Sequence, residues 1–165
     1  SLFNDTSNQV QEDKNKFAEK INVGKKAKIS EDFMIIARIE SLILGKGIND
    51  AIKRAQKYVE AGVDGIMIHS KSSEAKEIFD FAKKFRKSFE NVPLVSVPTS
   101  YNKVNENELI DNGFNVVIYA NQMLRAAYPA MLNVANKILK HGRSKEVDKN
   151  LISIKEILEL IPGTK

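Results

Sequence analysis

The chain has no cysteine among its 165 residues, which removes disulfide staples, thiolate zinc sites and cysteine nucleophiles. No apolar run approaches the roughly 20 residues that a bilayer-spanning helix needs, so no membrane partner is expected. Aromatic residues are scarce, at 7%, and they are not interleaved with the basic ones. The net charge of +5 is spread along amphipathic segments and forms no block, so no nucleic-acid partner is expected either. Ser1 and Leu2 carry neither the charged nor the apolar region of a signal peptide; with the missing cysteines this points to a cytoplasmic location. Ser1 is not an initiator methionine, and the chain reads as part of a longer polypeptide. HExxH, GxSxG and EF-hand patterns are absent, as is a full P-loop. In the Gly45-Lys46-Gly47 run, Asp50 stands where the third glycine of a dinucleotide fingerprint would be. No cluster of metal-binding carboxylates occurs in the stretch, so no metal ligand is assigned to it.

What is present is a repeated alternation of short apolar runs and longer amphipathic ones. Asn8 to Ala27 reads as a helix with Val10, Phe17, Ala18 and Ile21 near one face. Phe33 to Ala37 is a continuous apolar run of strand length. After it, Ala51, Ile52, Ala55, Tyr58 and Val59 repeat at helical spacing up to Gly62, a residue suited to a helix end. The unit recurs three times. Val63 to Ile68 leads to a helix with Ile78, Phe81, Ala82, Phe85 and Phe89 on one side; Val92 to Val97 leads to a helix capped by Asn105 and Glu108 and stopped at Gly113. Asn115 to Tyr119 leads to a long helix ending near Leu139, which Pro129 either opens or kinks. His141, beside Gly142, reads as a solvated helix-end residue. Residues 143–152 form a polar tether, and Ser153 with Glu156 makes a capping box for a C-terminal helix over 153–161.

Four βα units predict an α/β fold with a parallel sheet, either an open doubly wound sheet or half of a (β/α)8 barrel. Residues 1–165 are taken as one partial domain. In such folds chemistry collects where strands end. The runs end in Arg38 and Glu40, in His69, in Thr99 and Tyr101, and in Asn121. Arg38 and Glu40 are two apart, so on a strand they point the same way. They either merely close the strand end or present a guanidinium fork to a carboxylate or phosphonyl group. His69 reads as a general acid, an anion donor or a metal ligand, against the commoner case of a satisfied core histidine.

These strand ends resemble the phosphoenolpyruvate mutase family of the phosphoenolpyruvate mutase and isocitrate lyase superfamily. Ile36 to Glu40 is similar to the family's Ala-Arg-Val-Glu strand, and Gly45 to Ala51 to its Gly-x-Gly-Leu-x-Glu-Ala loop. Met67 to Lys71 resembles Met-His-Ser-Lys, Val97 to Tyr101 Val-Pro-Thr-x-Tyr, and Tyr119 to Ala126 Trp-Ala-Asn-x-x-Leu-Arg-Ala. Glu40, where the superfamily's methylisocitrate lyases tend to have Asp, favours the phosphonate branch.

The resemblance implies the C-terminal half of a barrel, strands five to eight, and an enzyme interconverting phosphoenolpyruvate and phosphonopyruvate. Arg38 and His69 would be catalytic and bind substrate, joined by Glu40, Thr99, Asn121 and, from the end of a gating loop, Ser1 and Leu2. It also implies Mg2+ held by residues preceding the chain, a small-molecule substrate, and a homo-oligomer, tetramer or dimer, with the C-terminal helix packed on a neighbouring subunit. Phosphonopyruvate hydrolase, or another lyase of the superfamily, is the alternative activity. A non-catalytic half-barrel is the alternative of another class.

Overall fold

The protein is described from a computed structural model, which covers residues 9–161 and 163. Its elements run α1 (Lys14–Ala27), β1 (Ile36–Ile39), α2 (Gly47–Glu60), β2 (Gly65–Ile68), α3 (Lys76–Arg86), β3 (Leu94–Ser96), α4 (Glu106–Asp111), β4 (Val116–Val117), α5 (Gln122–His141), a 3-10 helix (Lys145–Asn150) and α6 (Ile154–Glu159). The four strands make one parallel sheet in the order β1-β2-β3-β4. This is an α/β fold of consecutive βα units, consistent with half of a (β/α)8 barrel.

The chain separates into two compact units, residues 1–119 and 120–165, where the sequence reads as one partial domain. In the first unit, strand alternation assigns each side chain to a face. Ala37, Ile66 and Leu94 share a register row, as do Ile39 and Ile68, and all five are 0–3% exposed. Onto that face pack Ala51, Ala55 and Tyr58 of α2 and Ile78, Phe81, Ala82 and Phe85 of α3. The opposite face carries Arg38, Met67, Val95 and Val116 in one row. Two residues further on, it carries Glu40, His69, Val97 and Ile118.

Two glycines fix the path of the chain. Gly62 ends α2 at φ +90°, a backbone conformation that costs a side-chain-bearing residue free energy. At Gly65 a Cβ would stand 2.8 Å from Ile36 Cδ1 and 2.9 Å from the Pro93 carbonyl oxygen, so β2 fits between its neighbours only without a side chain there.

Three elements differ from their sequence expectation. Helix α1 starts at Lys14, not Asn8, because the Asp13 carboxylate accepts the Asn15 and Lys16 amides at 2.9 and 3.2 Å and caps the helix; Val10, expected on its apolar face, is 92% exposed. Strand β1 starts at Ile36, leaving Phe33 and Met34 exposed. In the second unit, the expected tether contains the 3-10 helix, whose Val147 is buried. Pro129 lies inside α5, and the Ser153–Glu156 capping box opens α6 as expected. No described helix is long and apolar enough to cross a membrane.

At the end of the sheet away from the strand C-termini, Arg86 acts as a clamp. Its guanidinium donates to the carbonyls of Gly113 (2.9 and 2.6 Å), Phe89 (2.9 Å), Glu90 (2.9 Å) and Val92 (2.8 Å), and to Asn115 Oδ1 (2.6 Å). Asn115 Oδ1 also accepts the Leu94 amide at 2.9 Å, which ties the end of α3 to the starts of β3 and β4. Arg86→Met should remove about 3 kcal/mol of stability by orphaning these oxygens and lower the thermal midpoint by roughly 10 °C, as read by circular dichroism. A midpoint within a degree or two of wild type would show that the clamp is dispensable.

Candidate active site

The strand ends gather polar groups on one face of the sheet. On β1, Arg38 Nε donates to Glu40 Oε1, the pairing that their spacing predicts. The Arg38 side chain is 44% exposed and that of Glu40 27%, so the fork is held at its base while its far side remains reachable. Glu40 Oε2 is buried and has no hydrogen-bond partner among the described residues.

His69 follows β2 on the same face, two residues beyond Met67, the register partner of Arg38. It is 2% exposed, and neither ring nitrogen has a hydrogen-bond partner among the described residues. A satisfied core histidine would have one, since burying a polar group unpaired is costly. Burial, and then the nearby Arg38 charge, push its pKa down from 6.5 to about 4, with Glu40 opposing. At neutral pH the ring is therefore uncharged and offers one N–H donor and one acceptor. Ser70, 1% exposed, fixes the turn that follows: its hydroxyl donates to Glu77 Oε2 at 2.7 Å and accepts the Ser72 amide at 3.0 Å.

At the end of β3 the Thr99 amide donates to the Val97 carbonyl at 2.7 Å, a tight turn that leaves Thr99 half-buried. Tyr101 is fully buried, its hydroxyl accepts the Val97 amide at 3.3 Å, and burial pushes its pKa up to about 12. It stays a neutral hydroxyl and supports the turn. Asn121 belongs to the second unit, where it precedes α5 without a side-chain cap bond. Ser1 and Leu2 lie outside the described residues.

In the Gly45-Lys46-Gly47 loop the Gly45 and Lys46 amides are already taken up. The Leu44, Gly45 and Lys46 N–H groups donate to the carbonyls of Glu40, Leu42 and Ser41 at 2.8 to 3.2 Å, so they turn inward. Beside Arg38 and Glu40 lies a cavity of about 330 Å³, also lined by Gln9, Gln11, Glu12 and Arg54. Sequence reasoning passed over Ser41, Asp50 and Arg54, which form a bonded group next to this cavity. The signal was faint: polar residues four apart, at 50 and 54, inside an otherwise apolar helical pattern. Among the described residues no three His, Asp or Glu side chains gather where they could hold a metal ion.

The chain is similar to several known proteins. The phosphonopyruvate hydrolase of Variovorax sp. (strain Pal2) is 41% identical over 145 residues, 87% of this chain and 49% of that protein. The phosphoenolpyruvate phosphomutase of Tetrahymena pyriformis is 35% identical over 146 residues, 88% of this chain and 48% of that protein. Among solved structures, a phosphoenolpyruvate phosphomutase from Streptomyces platensis subsp. rosaceus superimposes with a TM-score of 0.88 at 32% identity, over 97% of this chain and 54% of that one. A phosphonopyruvate hydrolase in complex with oxalate and Mg2+ gives 0.81 at 39% identity, over 97% of this chain and 55% of that one. The chain thus spans about half the length of the relatives it matches. The family profile described as phosphoenolpyruvate phosphomutase covers residues 2–139, and the chain belongs to that family.

Proposed function

We propose that this chain carries the phosphoryl-binding side of an enzyme that interconverts phosphoenolpyruvate and phosphonopyruvate. The observation that carries the reading is His69, buried with neither ring nitrogen partnered among the described residues, on the sheet face that also holds Arg38 and Glu40. A ligand bearing acceptor oxygens would satisfy the ring N–H and meet the exposed side of the Arg38 fork.

In this reading the carbon–phosphorus bond of phosphonopyruvate breaks, its electron pair stays with the pyruvyl fragment as an enolate, and the phosphoryl group passes to the enolate oxygen. The loose, metaphosphate-like species between those states carries its charge on three equatorial oxygens. Arg38 neutralises that charge from a direction fixed by Glu40. Neutral His69 adds a hydrogen bond without having to lose a proton. The solved hydrolase complex with oxalate and Mg2+ supports Mg2+ as the cofactor, a Lewis acid for the enolate oxygen. No donor set for it occurs among the described residues, and no step is assigned to it.

A second reading, phosphonopyruvate hydrolysis, is favoured by the 41% identity to a hydrolase against 35% to a mutase. There water receives the phosphoryl group and the enolate is protonated to pyruvate. Full-length protein carrying this chain, incubated with phosphonopyruvate and Mg2+ and followed by 31P NMR, separates the two. Conversion to phosphoenolpyruvate is the expected outcome. Inorganic phosphate without phosphoenolpyruvate selects hydrolysis, and an unchanged spectrum sinks both.

Arg38→Ala should lower kcat/KM by on the order of a thousandfold with only a modest change in thermal midpoint, because the side chain is partly exposed. Retention of wild-type activity would remove Arg38 from the site.

The histidine sets a pH dependence of stability. Its folded pKa lies below the ordinary 6.5, so the unfolded chain takes up the extra proton. The contribution is therefore complete above pH 6.5 and falls away as pH drops towards about 4. That gap corresponds to on the order of 3 kcal/mol. Urea titrations across this window should give a flatter profile for His69→Asn than for wild type. A bound phosphonate dianion should raise the His69 pKa, read from its C2 proton by NMR.

A further inference from the structure

We infer that Arg54 is a positioning residue for the strand-end site, holding residues 9–12 in place as a wall of the cavity that Arg38 and Glu40 line. The inference rests on the reading of those strand ends as a substrate site. Arg54 lies in the middle of α2 and is 6% exposed, an unusual place for a guanidinium. Its Nε donates to Asp50 Oδ2 at 3.1 Å, and its Nη1 donates to the Tyr58 hydroxyl at 3.1 Å and to the Glu12 carbonyl at 2.8 Å. Asp50 Oδ2 also accepts the Ser41 hydroxyl at 2.7 Å, and Ser41 Oγ accepts the Gln11 Nε2 at 3.2 Å. Ser41 is fully buried and immediately follows Glu40. Two branches therefore leave one carboxylate, through Arg54 and through Ser41, and both end on residues 11 and 12.

That destination is what separates the network from ordinary core support. Residues 9–13 form neither helix nor strand, and Val10, the aliphatic side chain among them, is 92% exposed. Apolar burial does little to fix them, so their position depends on directed bonds. A buried guanidinium is kept at a desolvation cost that an apolar residue in α2 would avoid. Here its donors reach across 42 positions of sequence to a main-chain carbonyl beside the cavity. Burial pushes the Asp50 carboxyl up, but the bonds from Ser41 and Arg54 outweigh it and hold it below its usual range, so the carboxylate stays charged. Arg54 borders the cavity at its own side, and it acts on the strand-end site through the segment it holds.

The test uses full-length protein carrying this chain, with Arg54→Met, Arg54→Lys and Ser41→Ala. Arg54→Met should raise KM for phosphonopyruvate on the order of tenfold with a smaller change in kcat, and Arg54→Lys should recover part of the loss. The double variant Ser41→Ala/Arg54→Met should raise KM further than Arg54→Met alone, because it removes both anchors of residues 11 and 12. Hydrogen exchange of the amides of residues 9–12 should quicken in Arg54→Met. A lower melting temperature with KM and amide protection unchanged would overturn the inference, since Arg54 would then only stabilise α2. If Arg54→Met does not fold, Ser41→Ala takes its place: a raised KM supports the inference and an unchanged one overturns it. If wild-type protein leaves phosphonopyruvate untouched, the functional reading fails alone. Exchange at residues 9–12 then decides this one, faster exchange supporting it and unchanged exchange overturning it.

Discussion

The alternation of side chains along four parallel strands in fixed register is the constraint on which everything else depends. Ala37, Ile39, Ile66, Ile68 and Leu94 must face the helices, because α2 and α3 bury their aromatic and aliphatic faces there. Once those positions are set, a period of two leaves Arg38, Glu40 and His69 no other side on which to project. A slip of one residue in β1 would send Arg38 into the core and Ile39 towards the cavity. The polar site and the apolar core are thus two faces of one register.

The histidine gains its character from that placement. Buried next to a guanidinium, it is held neutral at pH 7, and among the described residues both ring nitrogens go without partners. Such a group is a standing cost to the fold, and the proposed ligand would offset it by taking up the hydrogen bond. Glu40 has a similar double role, bracing Arg38 with one oxygen while the other is unpartnered among the described residues.

Much of this was legible in the sequence because it is local. Helical spacing located α2 and α3, the Asn105–Glu108 and Ser153–Glu156 capping boxes marked helix starts, and the polar residue after each apolar run marked a strand end. What escaped notice is one local cap and several non-local contacts. Asp13 overrode an apolar spacing that reached back to Asn8, because a side-chain cap fixes a helix start more firmly than one more apolar contact. Phe33 and Met34 extend the apolar run but lie outside the β1 pairing that begins at Ile36. The Asp50 and Arg54 network was not read because its outer partners come from the chain before α1 and from the loop after β1. That His69 lacks partners is a property of its surroundings, invisible in any single stretch of sequence.

Arg86 has a chemical consequence of its own. Every oxygen it meets belongs to a carbonyl or to the Asn115 amide, and none to a carboxylate. Nothing in that clamp titrates as acid is added, and charge–dipole bonds of this kind are screened by salt far less than exposed ion pairs. The Lys25–Asp64 pair would weaken with acid or salt long before it does. Acid unfolding of the first unit should therefore start at α1, while the joint of α3, β3 and β4 is the last part to let go.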